Sequence, residues 1–208
     1  MLLERTLRTL EKINNPRLQL PIFYESPIAL RFEIGDTALS IGDTRYFRAG
    51  QLRASFLYES IPKPDTLLWV LYRSPDTDSN IDALLERFCT LTRLPNPKEV
   101  YEQDTIDCDG EPLTRIFFFW DIEQTPPHIP SLLEGILKTD FAGFSELSSA
   151  VFFFHTAKHI LLHLYDDRGM DIVAEKRETI SFLYERFPNW LLGYDRKRMK
   201  EIFAPCHK

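Results

Sequence analysis

The amino-acid sequence predicts an α+β fold, with a central mixed, largely antiparallel sheet and helices packed against it. Three observations predict this class: apolar runs or alternations of strand length, apolar residues at helical spacing between them, and a hairpin pattern late in the chain. A chain of 208 residues is expected to form a single globular domain over residues 1–208.

The first element is a predicted amphipathic helix over residues 2–13, where leucines recur at helical spacing among charged residues. Residues 28–34 alternate apolar and polar side chains, which predicts a half-buried strand with Arg31 and Glu33 on its polar face. Residues 66–72 form a continuous apolar run, as expected of a strand covered on both faces. The same criteria predict helices over residues 45–60, 81–91, 131–141, 176–187 and 194–203, and strands over residues 114–122, 150–155, 159–165 and 171–174.

Two connecting segments carry turn-forming residues. Before the helix that begins at residue 81, Asp78, Ser79 and Asn80 are candidate N-caps. Residues 92–113 are polar and contain three prolines, so we interpret them as a Pro-rich surface loop. A boundary between two domains in this stretch is the weaker alternative.

The composition excludes several classes of function. The chain has only 8 glycines, and none has the spacing of a glycine-rich phosphate loop, so no nucleotide cofactor is expected. The formal net charge of −6 disfavours nucleic acids and anionic membranes as partners. The basic cluster at Arg196, Lys197, Arg198 and Lys200 is interpreted as a solvated helix face rather than a nucleic-acid site.

Cysteine usage and hydropathy indicate the compartment. The chain has three cysteines, Cys89, Cys108 and Cys206. An odd number of cysteines without a C-x-x-C pair fits free thiols in a reducing environment. The N-terminus lacks the apolar core of a signal peptide, and no apolar run approaches the length of a membrane span. The sequence therefore predicts a soluble, cytoplasmic protein.

His155, His159 and His163 are spaced four residues apart, and on a helix they would share one face and could bind zinc. Their neighbours are aromatic and branched residues, which favour strands. On a hairpin, His155 and His159 would flank the turn and His163 would lie on one strand face. The hairpin is the preferred interpretation, and no metal is assigned.

The densest polar segment is residues 165–171. The structural interpretation is a tight turn in which Asp166 or Asp167 accepts backbone N–H groups and Gly169 adopts a positive φ. The functional interpretation is a charged surface at a sheet edge that is presented to a partner, although Arg31 and Glu33 could also simply pair with each other. The candidate partner-binding residues are Asp166, Asp167, Arg168, Arg31 and Glu33.

Several of these segments occur together in a known family. They are the turn from Tyr165 to Gly169, the strand from Asp171 to Ala174, Trp190, the pair Asp195-Arg196, the segment from Ile28 to Gly35, and the helix start at Tyr46, Arg48 and Ala49. In these segments the chain resembles a bacterial family described as domain of unknown function 3885. The resemblance implies a bacterial, intracellular, mixed α/β domain over most of the chain, and it brings no catalytic residues with it.

The sequence favours a cytosolic protein-binding module over an enzyme, because it carries no assembled catalytic or cofactor motif. An acidic chain of this size is suited to hold a basic protein, as immunity proteins of bacterial toxin systems do. The expected partner is therefore another protein, such as a basic toxin or effector. The alternative is a small-ligand-binding or metal-binding protein or an enzyme that uses His155, His159, His163, Asp166 and Asp167.

Overall fold

The computed structural model describes residues 1–41, 43–75, 80–106, 109–142 and 144–204. Its helices are α1 (Leu2–Lys12), α2 (Ile22–Glu25), α3 (Thr44–Ser60), α4 (Ile81–Thr92), α5 (Ile129–Leu137), α6 (Thr139–Ala142), α7 (Arg177–Arg186) and α8 (Arg196–Phe203). Its strands are β1 (Ala29–Glu33), β2 (Thr66–Arg73), β3 (Glu99–Ile106), β4 (Pro112–Asp121), β5 (Val151–His155), β6 (Ile160–Leu164) and β7 (Gly169–Ala174).

These strands form one seven-stranded sheet in the order β1-β7-β6-β5-β2-β4-β3. Every neighbouring pair in it is antiparallel. The predicted α+β class is confirmed. At the centre of the sheet, β2, β5 and β6 are buried over nearly their whole length, which explains why they occur in the sequence as continuous apolar runs.

Helices cover both faces of the sheet. Trp69 of β2 stacks on Phe88 of α4 with ring centroids 4.4 Å apart. Its neighbour Leu68 lines a cavity with Leu10 of α1. Because successive residues of a strand point to opposite faces, α1 and α4 lie on opposite sides of the sheet. Further along, α2 and α8 pack against β1 on the α1 side, and Tyr58 of α3 contacts Phe153 on the α4 side.

The interpretation of residues 92–113 as a loop is wrong, because they contain β3 and the beginning of β4. β3 is an edge strand whose residues are mostly exposed, so no apolar alternation marks it. Its conformation is set instead by pairing with β4, from Glu99 opposite Phe119 to Ile106 opposite Pro112. The local sequence feature that indicates a hairpin here is Asp109-Gly110, a dipeptide typical of hairpin turns. In the structure Gly110 has a φ of 86°.

The other predicted elements lie within a few residues of their predicted bounds, except that residues 131–141 form parts of two helices, α5 and α6. The short helix α2 was not predicted. Asn80 caps α4, its side chain accepting the N–H of Ala83 at 3.0 Å. Asp78 and Ser79, also candidate caps, and Cys108 and Cys206 lie outside the described residues. Among the helices described, none has both the length and the apolar character needed to cross a membrane.

Candidate functional site

Arg31 belongs to a row of side chains that crosses the sheet on the face covered by α1, α2 and α8. The strand register places Arg31 opposite Asp171 of β7, and Asp171 opposite His163 of β6. Directly opposed residues of antiparallel strands point to the same face, so these three side chains are neighbours. A cation, an anion and an imidazole are thus brought together within a sheet that is otherwise largely apolar.

Arg31 and Asp171 form a buried bidentate ion pair. The Nε and Nη2 atoms of Arg31 donate to the two carboxylate oxygens of Asp171 at 2.7 and 2.8 Å. Asp195 Oδ2 lies 3.5 Å from Arg31 Nη1, and the Tyr24 hydroxyl donates to Asp195 Oδ1 at 2.9 Å. The backbone N–H of Phe23 adds a hydrogen bond of 3.3 Å to Asp171.

The surroundings of Arg31 keep it charged. Burial opposes its charge, but the hydrogen bonds and negative charge of Asp171 outweigh burial and hold the pKa of Arg31 above its ordinary value. The rings of Phe23 and Tyr24 have their centroids 4.7 and 4.8 Å from the guanidinium carbon, within the range of cation–π attraction. Arg31 therefore acts in this cluster as a fixed cation held against Asp171.

The expectation that Arg31 lies on an exposed polar face is wrong, because its side chain is buried. The chain beyond α7 covers the outer edge of β1: the N–H of Leu192 donates to the Arg31 carbonyl oxygen at 2.9 Å, and the N–H of Glu33 donates to Trp190 at 2.7 Å. Glu33 itself is half-buried. Arg31 pairs with Asp171, far away in sequence, instead of with Glu33.

The turn between β6 and β7 is held by its own side chains. Asp166 accepts the backbone N–H and the Nε of Arg168, both at 2.7 Å. Asp167 Oδ2 accepts the Tyr46 hydroxyl at 2.6 Å, and burial together with this hydrogen bond raises the pKa of Tyr46. Asp166 and Asp167 are buried beneath α3 and the turn, so the predicted charged surface is wrong for them, whereas Arg168 is exposed.

Gly169 is the first residue of β7, and its expected positive φ is wrong; among the described glycines, positive φ occurs at Gly110. The requirement for glycine is steric. A Cβ at Gly169 would overlap the Tyr165 hydroxyl and would lie 3.1 Å from the Phe32 carbonyl oxygen. The close approach of the Tyr165 ring to β7 therefore needs a residue without a side chain.

Asp140 lies beside Asp166 and Asp167, and oxygens of the three carboxylates lie within 4.8 Å of one another. Within the described ranges this is the one group of three or more such side chains close enough to share a metal ion. Asp166 and Asp167 already accept hydrogen bonds from Arg168 and Tyr46. These contacts indicate a turn stabilised from within.

The predicted hairpin is confirmed, and it separates the three histidines. His155 Nδ1 accepts a backbone hydrogen bond within the turn, and His159 Nδ1 lies 3.2 Å from Thr9 Oγ1 of α1. His163 is buried and stacks on Phe152 with ring centroids 4.4 Å apart. The histidines do not converge as ligands of one ion within the described residues.

His163 is a member of the core. Burial lowers the pKa of His163 to about 3 from an ordinary value of 6.5, and the nearby backbone of Ser149 offsets only part of that shift. Among the described residues, neither ring nitrogen has a partner in hydrogen-bonding geometry. The ring is therefore neutral at neutral pH and does not change its charge in that range.

A buried polar cluster around Asp65, just before β2, was not predicted. Asp65 Oδ2 accepts the Thr156 N–H at 2.8 Å, and the Thr156 hydroxyl donates to Asp65 at 3.0 Å. Arg5 of α1 donates to the same hydroxyl at 2.7 Å and lies 3.4 Å from Asp65. The cluster ties α1 to β2 and to the end of β5. A single acidic residue before an apolar run carries no sequence signal for such a role.

Two basic residues of α8 donate hydrogen bonds to backbone carbonyl oxygens of neighbouring segments. Arg196 donates to the carbonyl oxygens of Pro188 and Leu191, both at 3.2 Å. Arg198 donates to the carbonyl oxygen of Ser26 at 3.1 Å. Both guanidinium groups therefore brace the segments that cover β1.

The two edges of the sheet differ. The β1 edge is covered by backbone hydrogen bonds to Trp190 and Leu192, whereas β3 has one strand neighbour, β4, in the part of the chain that the structure describes. Large apolar side chains of β3 are exposed, by 53% at Val100, 45% at Tyr101 and 68% at Ile106. The strand, EVYEQDTI, has three acidic residues, no basic residue and no proline. We call the outward side of Glu99–Ile106 the β3 edge.

The fold and these contacts define an α+β protein built on one antiparallel sheet, with a buried arginine–aspartate pair between an edge strand and its neighbour. The chain belongs to the family described as Domain of unknown function (DUF3885), whose model matches residues 7–195. "Uncharacterized protein YnaE" of Bacillus subtilis (strain 168) is 37% identical over 57 residues, a match that covers 27% of this chain and 27% of that protein. No solved structure matches the chain significantly.

Proposed function

We propose that this chain is a cytosolic protein-binding module that pairs an extended, basic segment of another protein with its β3 edge. Its role would be that of an immunity-type inhibitor that neutralises a basic toxin or effector. The observation that carries the proposal is the β3 edge itself, which is long, acidic and bears exposed apolar side chains.

An exposed strand edge presents backbone donors and acceptors to other chains, and proteins usually block it with lysine, proline, a bulge or a covering segment. The β3 edge has neither lysine nor proline over its eight residues. It remains in regular register with β4 from Glu99 to Ile106. Addition of a strand at such an edge is a common mode of peptide recognition, in which backbone hydrogen bonds provide the affinity.

Charge selects the kind of partner. Glu102 and Asp104 are exposed on β3, where Glu102 lies 3.0 Å from Arg73 and Asp104 accepts the Thr114 hydroxyl at 3.0 Å. Asp109 and Glu111 are exposed at the following turn. A second copy of the chain would place like charges opposite one another, which destabilises strand pairing. A basic strand would instead form opposite-charge pairs. The net charge of −6 would also speed its encounter with a basic protein.

The alternative function, binding or catalysis at His155, His159, His163, Asp166 and Asp167, receives less support. His163 is enclosed in the core, and the two aspartates hold their own turn. The three histidines do not converge within the described residues.

The proposal is tested with a synthetic strand peptide of alternating lysine and valine, whose affinity is measured by calorimetry at several salt concentrations. We expect saturable binding that weakens with salt, and no binding of the matching glutamate–valine peptide. The variant Glu102→Gln/Asp104→Asn should bind the basic peptide about tenfold more weakly. The control variant Glu178→Gln/Glu185→Gln has the same net charge and alters exposed residues of α7.

Equal weakening by both double variants would show a non-specific charge effect and would contradict the proposal, as would equal binding of both peptides. The inhibitory role is tested separately by co-expression with any basic toxin that a neighbouring gene encodes. The wild-type chain should restore growth, whereas the Glu102→Gln/Asp104→Asn variant should restore it less. If the wild-type chain and the variant restored growth equally, the acidic residues of the β3 edge would not be required for inhibition.

A further inference from the structure

A cavity of about 490 Å³ lies between α1, the loop that follows α1, and the outer half of the sheet. Its α1 wall contains Leu3, Leu7 and Leu10, and Leu68 and Phe119 form its floor. Leu10, Leu68 and Phe119 are almost completely buried, so the inner end of the cavity is apolar. Its volume is within the range of sites that hold small organic ligands.

Two polar atoms at this cavity have no hydrogen-bond partner in the part of the chain that the structure describes. The hydroxyl oxygen of Thr6 and the Nε of Arg115, both on cavity-lining residues, are buried and have no hydrogen-bond partner among the described residues. Thr6 as a whole is 1% exposed. Buried polar groups normally form hydrogen bonds, because an unpaired group raises the free energy of the folded protein. An unpaired N–H and an unpaired hydroxyl at one cavity therefore point to a ligand that would pair with them.

Among the described residues, Arg115 also has no counterion. Its Nη1 donates weakly to the Arg17 carbonyl oxygen at 3.4 Å, and its guanidinium carbon lies 4.9 Å from the Phe117 ring centroid. Within the described ranges no ion pair to a carboxylate is formed by Arg115. By contrast, Arg31 on the same face is fully paired with Asp171.

We propose that this cavity binds a small amphipathic monocarboxylate, such as a medium-chain alkyl carboxylate. The carboxylate would accept hydrogen bonds from Arg115, whose planar guanidinium suits two-point contact with a carboxylate, and from the Thr6 hydroxyl. The alkyl chain would lie against Leu10, Leu68 and Phe119. Tyr101, Gln103 and Thr105 of β3 also line the cavity, so it adjoins the β3 edge. The proposal uses Arg115 and Thr6 and does not depend on the proposed protein partner.

The test uses decanoate as the probe and decanamide as its neutral analogue, with binding to the full-length protein followed by calorimetry and by NMR chemical shifts. Decanoate should bind with one-to-one stoichiometry and shift resonances of Leu10 and Phe119, and decanamide should bind about tenfold more weakly or not at all. Arg115→Gln should weaken decanoate binding about tenfold. The control Arg8→Gln removes an exposed charge from the opposite side of α1 and should change nothing.

Thr6→Val, which keeps the shape of the side chain, provides a second variant if Arg115→Gln disturbs the fold; it should weaken decanoate but not decanamide. Equal affinity for the acid and the amide, unchanged affinity in both variants, or shifts confined to residues outside the cavity would overturn the proposal. Binding of the lysine–valine peptide to Arg115→Gln is measured separately. If this variant loses decanoate binding but still binds the peptide, the cavity and the β3 edge are distinct binding sites.

Discussion

Arg31 and Asp171 lie directly opposite each other on β1 and β7, and hydrogen bonds of 2.7 and 2.8 Å join the guanidinium to the carboxylate. The pair contributes to the register of an edge strand. A slip of one residue would place Arg31 opposite Met170 or Ile172 and would leave two charges unpaired in the core. The pair therefore fixes how β1 joins the sheet.

Removing one partner of this pair should destabilise the protein strongly. We expect Arg31→Met to lower the free energy of unfolding by about 3–5 kcal/mol, because Asp171 would remain buried without its charged partner. Arg31→Met/Asp171→Leu should lose less, because Asp195, 3.5 Å from the Arg31 guanidinium, is then the one carboxylate of the described cluster that loses its cation. Urea unfolding at neutral pH measures both, and a double variant that is less stable than the single variant would contradict this account.

His163 should make stability depend on pH. Its pKa is about 3 in the folded protein and 6.5 ordinarily, so the unfolded chain binds more protons between these values. Stability due to the neutral ring is therefore lost as pH falls through this window, by about 2 kcal/mol between about pH 7 and about pH 5. His163→Leu should lack that loss. Urea unfolding of both proteins at the two pH values provides the comparison, and parallel pH profiles would disprove the assignment.

Gly169→Ala should destabilise the protein by about 1–3 kcal/mol, because the added methyl group would overlap the Tyr165 hydroxyl. The matched control is Gly193→Ala, where an added Cβ would meet no atom of the described residues within 4 Å. That control should change stability by no more than about 0.5 kcal/mol. Thermal unfolding compares the two, and equal effects would show that the contact with Tyr165 is not the cause.

The elements that could be predicted are those whose burial shows as an apolar pattern in the local sequence. The β2 run from Thr66 to Leu71 is apolar because both of its faces are covered. β3 escaped prediction because it is exposed and owes its conformation to β4, not to its own side chains. Its turn signal, Asp109-Gly110, was the one local clue.

The candidate site was predictable only in part. Arg31 lies in an alternating strand and was therefore expected to be exposed, yet its partner Asp171 is 140 residues away and brings it into the core. Likewise, nothing near Asp166 and Asp167 in the sequence shows that α3 and the turn itself enclose them. The cavity at Arg115 depends on α1 and β4, which meet only in the folded chain.

Hydrogen exchange at the β3 edge tests the central proposal most directly. In a strand, about half of the backbone N–H groups point away from the one neighbour, so the outward amides of Glu99–Ile106 should exchange quickly in the protein alone. With saturating lysine–valine peptide, we predict that these amides become protected while those of β1 keep their rates. Binding of the peptide without added protection in β3 would contradict strand addition at this edge.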